Sequence, residues 1–74
     1  MIQLVQQFGL AVRHLREQHG WTQEQLADEA GINRSYLGEI ERASSVPSLA
    51  IIGKLALALG TTPALLLDQK DESF

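Results

Sequence analysis

The stretch Thr22–Glu41, TQEQLADEAGINRSYLGEIE, decides the fold. Thr22 reads as a helix N-cap whose hydroxyl accepts from an early helical N–H. Gln25, three residues on, reaches back to complete a capping box. Trp21 before the cap and Leu26 four residues after it form a hydrophobic staple. Gly31 takes a left-handed backbone without steric penalty and so stops this helix, with Ile32 placed to fold back on Leu26 or Ala27. Asn33 then caps a second helix.

One helix, a glycine turn and a second helix describe a helix-turn-helix. The second helix has two faces. At 100° per residue Leu37 and Ile40 point inward, while Ser35, Glu39 and Arg42 lie opposite them with Gly38 alongside. Arg34 projects from the leading end. Polar, hydrogen-bonding groups at the N-terminal end of a helix suit insertion into the major groove of DNA.

Further motifs share this order and spacing: FG-x-x-V-R-x-L-R from Phe8, G-W-T-Q-x-x-L-A from Gly20, G-I-x-R-S-Y-L from Gly31 and I-E-R from Ile40. They continue as P-S-L from Pro47, K-L-A-x-A-L-G from Lys54 and a short last helix from Thr62. Together they resemble the lambda-repressor-like (Cro/XRE-type) helix-turn-helix DNA-binding family, over residues 8–67. The R-S-Y run is similar to the R-T-Y run of its restriction–modification controller proteins. The resemblance implies an all-α, compact five-helix domain over residues 1–67, followed by an acidic tail, 68–74. It also implies a sequence-specific transcriptional regulator, cytoplasmic, without a cofactor, that binds double-stranded DNA as a homodimer. An antitoxin or protein-interaction module on the same fold, with a toxin or other protein as partner, is the competing expectation.

Charge favours that competitor. Six basic and nine acidic residues leave the 74-residue chain at −3, whereas nucleic-acid binders usually carry a basic patch. The tail from Asp68 holds −2 of this. No cysteine is present, so neither a disulfide nor a thiolate metal site supports so small a domain. No apolar run is long enough to span a bilayer, and no signal peptide is expected. His14 and His19 are five apart, which does not stack them as a helical metal pair, and no constellation for catalysis is evident.

The remaining chain reads as support. Residues 1–19 form a first helix with Val5, Phe8, Val12 and Leu15 as its core stripe. Gly9 inside it costs about 1 kcal/mol relative to alanine unless another backbone crowds it. By the family resemblance Arg16 and Glu41 form a structural ion pair rather than DNA contacts. Pro47 and Ser48 open a fourth helix that ends at Gly60, with Leu49, Ile52, Leu55, Ala56 and Leu59 as its core face. Thr62 caps the last helix and Pro63 takes its first position. Leu65, Leu66 and Leu67 cannot all face one core, so Leu57, Leu65 and Ile51 are candidates for a two-fold dimer interface. The rival for Leu65 is cover by the first helix.

Candidate DNA contacts follow from the same pattern. Arg34 can pair bidentately with guanine. The resemblance gives Gln23 a phosphate at the helix start, beside Thr22. Asn33 and Ser35 are helix-start residues that can touch base edges or phosphate. Tyr36 reaches phosphate, a thymine methyl or the core edge. Glu39 either accepts from cytosine N4 or repels phosphate, and Arg42 is placed for the backbone. In the loop from Ala43 to Val46, where the family often carries basic residues, Ser44 can bond a phosphate oxygen.

Overall fold

The N-cap residues act where their chemistry predicts. The computed structural model describes residues 2–68 and contains, over them, α1 (Ile2–Gln18), α2 (Gln23–Ala30), α3 (Arg34–Glu41), α4 (Leu49–Leu59) and α5 (Pro63–Leu67), with no strand. Of the expected acidic tail, all but Asp68 lies outside the described residues. Thr22 Oγ1 accepts from Gln25 N at 3.1 Å and Gln25 Oε1 accepts from Thr22 N at 2.8 Å, so the capping box is complete. Asn33, Ser48 and Thr62 cap α3, α4 and α5 in the same manner.

The helix ends are equally regular. After α2, Gly31 sits at φ 71° while Ile32 N donates to Ala27 O. After α4, Gly60 is at φ 73° and Thr61 N donates to Ala56 O. Gly20 closes α1 likewise, with Trp21 N donating to Arg16 O. These are Schellman stops, in which a left-handed residue turns the chain and satisfies the last carbonyls. At the end of α3 the same bonds form, Ser44 N to Glu39 O and Ala43 N to Ile40 O, but the left-handed residue is Ala43, at φ 62°.

One core holds the helices. Phe8 and Val12 of α1, Leu26 of α2, Leu37 and Ile40 of α3 and Leu55 of α4 meet in it, and Leu66 of α5 closes it against α1 and α4. Burying six to seven such side chains, each worth about 1.5–3 kcal/mol, is what fixes α2 and α3 at one angle. Val5 and Leu15 are half-buried at the edge of the stripe. Leu66, rather than Leu65, fills the space beneath α1, and Leu65 is 56% exposed.

One core expectation needs correction. Leu49 shares the angular face of Ile52 and Ala56, yet it is 82% exposed. It is the first residue of α4, so it extends past the end of the core along the helix axis. His19 is exposed but anchored. Its ring stacks on Trp21 with centroids 4.3 Å apart and its Nε2 meets Leu59 O at 3.1 Å, which ties the α1–α2 turn to the end of α4.

Gly9 has the backbone neighbour its position calls for. A Cβ there would lie 2.5 Å from Ile40 O and 3.0 Å from Glu41 O. The helix α1 therefore crosses the end of α3 backbone to backbone, at a place only glycine permits.

Candidate nucleic-acid interface

The geometry of α3 rests on one ion pair. Arg16 Nε donates to Glu41 Oε2 at 2.8 Å and Arg16 Nη2 to Glu41 Oε1 at 3.0 Å, a bidentate fork. The third guanidinium nitrogen, Nη1, donates to Trp21 O at 2.9 Å. The two side chains are 11% and 3% exposed. The hydrogen bonds it donates to Glu41, together with the Glu41 charge, hold the Arg16 guanidinium above its usual pKa against the opposing effect of partial burial. The pair thus joins α1, the α1–α2 turn and the end of α3.

Gln23 belongs to this cluster. Its Nε2 donates to Glu41 Oε1 at 3.0 Å, and the side chain is half-buried. A carboxylate only accepts, so the amide nitrogen must face it. One amide hydrogen is committed internally, which leaves the second hydrogen and the backbone N–H groups of Gln23 and Glu24 as the donors at this helix start. Those are first-turn donors without a helical partner. Arg16, Thr22, Gln23, Glu24 and Arg34 line an open cleft between the starts of α2 and α3.

The outward face of α3 is as the helical spacing requires. Arg34 and Ser35 are exposed, and nothing among the described residues covers them. Asn33 is exposed too, although its Oδ1 is occupied by Tyr36 N. Tyr36 is half-buried and packs its ring against the core. Arg42 folds back over Gly38, where an added Cβ would stand 3.1 Å from its Nη1 and 3.6 Å from Gln23 Oε1. The absent side chain lets the two tips converge. Arg13 pairs with exposed Glu17 and Arg16 with Glu41, which leaves Arg34 and Arg42 as the arginines outside ion pairs among the described residues. Both belong to α3 or its cap.

The α3–α4 loop is not a loose solvated segment. Ser44 Oγ donates to Glu39 O at 3.2 Å, and Ser45 Oγ donates to Glu39 Oε1 at 2.8 Å. Ser44 therefore has its hydroxyl hydrogen turned inward, and Glu39 is half-buried beneath the loop. Ser45 is thus tied to the side chain of α3 as Ser44 is to its backbone. Two serines in a short loop carry no signal of which one faces the helix.

The candidate dimer residues separate. Leu57 is 83% exposed, and Gly53 and Leu49 lie four and eight residues before it on the same stripe of α4. Nothing lies within 4 Å of a Cβ built on Gly53. Ile51, in contrast, is half-buried against the chain's own core on the opposite flank of α4. Ile51 therefore offers less outward surface than Leu57 or Leu49.

The helix-turn-helix family profile, of the Cro/XRE type, matches residues 12–66. The chain belongs to that family. SinR of Bacillus subtilis, an HTH-type transcriptional regulator, is 33% identical over 66 residues, 88% of this chain and 60% of SinR. The restriction–modification controller protein C.AhdI of Aeromonas hydrophila has a crystal structure that superposes with a TM-score of 0.81 at 44% identity, covering 84% of this chain and 94% of that one. SinR crystallised in complex with DNA superposes with a TM-score of 0.79 at 32% identity, covering 82% and 98%. The chain spans between 27% and 60% of the length of three curated relatives it matches. The family is one of DNA-binding regulators, not of enzymes. No helix among the described residues is long and apolar enough to cross a membrane.

Proposed function

We propose that this protein is a sequence-specific DNA-binding transcriptional regulator that lays α3 in the major groove. The observation that carries the reading is the uncovered leading end of α3, where exposed Arg34 and Ser35 stand beside the open start of α2. Arg34 supplies a planar donor fork for guanine O6 and N7. The start of α2 contributes N–H groups and the positive helix end to a phosphate, with the second Gln23 amide hydrogen beside them. Arg42 neutralises the flanking backbone from the far end of α3. The similarity to SinR in its DNA complex supports this placement.

A second copy completes the reader. The stripe Leu49–Gly53–Leu57 on α4, with Leu65 on α5, offers apolar surface to a two-fold partner, and such an interface is self-complementary. Two α3 helices then enter successive major grooves about 34 Å apart.

Salt distinguishes this reading from a protein-interaction module, which the net charge of −3 favours. A DNA reader loses affinity linearly in log[salt], with a slope of about −0.9 per neutralised phosphate. Titration of a selected duplex at several salt concentrations is expected to give a slope of several units. Absence of duplex binding at low salt contradicts the reading.

A further inference from the structure

The feature that DNA binding by Arg34 leaves unexplained is Glu39. It lies between Ser35 and Arg42 at helical spacing on the side of α3 that carries them, half-buried where those two are exposed. Among the described residues no cation pairs with it. Arg42, three residues on, turns away over Gly38, and the ion pairs among the described residues are Arg13–Glu17 and Arg16–Glu41. A neutral hydroxyl holds it instead, with Ser45 Oγ donating to Oε1 at 2.8 Å.

The contact is constructed by the chain. Ser45 comes within reach because the chain reverses at Ala43, a non-glycine residue in the left-handed region at φ 62°. Ser44 N and Oγ fasten the reversed loop to Glu39 O at 2.9 and 3.2 Å. Main chain and side chain of one glutamate are thus gripped by two successive serines. A hydroxyl donor orients a carboxylate without cancelling its charge, and it leaves Oε2 free to accept. The base-edge donor that a lone carboxylate oxygen matches in the major groove is the N4 amino group of cytosine.

We infer that Glu39 reads a cytosine in each half-site and that Ser45 is the residue that positions it. This rests on the DNA-binding reading of α3. Apart from the matched cytosine, the carboxylate repels phosphate and meets acceptors, so its contribution is discrimination rather than affinity.

The test uses the full chain. Sites are first selected from random duplexes by the wild-type protein. Affinities are then measured for Glu39→Gln and Ser45→Ala on duplexes varied one base pair at a time, with thermal melting as a check on folding. The expected selected site contains a cytosine in each half-site that wild type prefers by about fivefold or more over the other bases. Glu39→Gln is expected to lose that preference and shift it toward adenine, which a glutamine amide matches. Ser45→Ala is expected to weaken the same preference and no other. If Glu39→Gln keeps every preference, or raises affinity equally for all sequences, the base-reading role is overturned while DNA binding stands. An unchanged cytosine preference in Ser45→Ala overturns the positioning role. A wild-type protein that enriches no sequence overturns the underlying reading together with this one.

Discussion

Removing Arg16 leaves Glu41, whose side chain is 3% exposed, without its bidentate partner. Breaking a buried pair from one side costs about 3–5 kcal/mol, whereas replacing both partners with apolar residues is often near neutral. Arg16→Ala is therefore expected to unfold well below the wild-type temperature, and Arg16→Met combined with Glu41→Leu to recover most of the loss. Equal melting of wild type and Arg16→Ala contradicts the assignment. Gly9 makes an opposite point about helix propensity. Alanine is the better helix former by about 1 kcal/mol, but its Cβ would meet Ile40 O at 2.5 Å. Overpacking of this kind costs about 1–3 kcal/mol, so Gly9→Ala should destabilise in denaturant titration. The Arg16–Glu41 pair was legible in advance through the family resemblance. The bond from Gln23 to Glu41 was not, because it depends on how far apart α2 and α3 sit.

The elements announce their own ends. Thr22, Asn33, Ser48 and Thr62 at starts, and Gly20, Gly31 and Gly60 at stops, act through bonds a few residues long, so their chemistry is visible in the sequence. Ala43 is the exception. It performs the work of a stop glycine from a residue type that carries no such signal, and the αL region costs a non-glycine residue about 1–2 kcal/mol. Ala43→Gly is expected to raise stability by about 1 kcal/mol, after the greater freedom of unfolded glycine is subtracted. Chemical denaturation measures this directly, and a loss of stability would contradict the strain. The exposure of Leu49 is not legible in the sequence for a related reason. The helical wheel gives the direction of a side chain, but position along the axis and the width of the core decide its burial. Gly53 bears on the same helix. In an isolated chain Gly53→Ala fills open space and should stabilise α4 by about 1 kcal/mol. If a second copy crosses α4 at this point, the same change should weaken self-association.

On the scale of the whole molecule, the fold presents a polar helix end and an apolar stripe on α4 to the outside. The stripe predicts association: Leu57→Asp should shift sedimentation toward monomer and, with it, weaken binding to a two-half-site duplex more than to a single half-site. A wild-type protein that remains monomeric at high micromolar concentration contradicts the two-fold reader. The helix end was expected from the order and spacing of motifs, and the cap at Asn33 together with the Arg16–Glu41 clamp explains mechanically why it protrudes. The net charge, which counted against DNA, matters less once location is considered, since the unpaired arginines are both carried by α3. The central claim is that the protruding start of α3 reads sequence, and it is tested most directly by selecting bound duplexes from random DNA with wild type and with Arg34→Ala. The account predicts a symmetric wild-type site with half-sites one turn apart, and an Arg34→Ala protein that still binds duplex but loses one guanine preference in each half-site. The same site enriched by both proteins, or by neither, would contradict it.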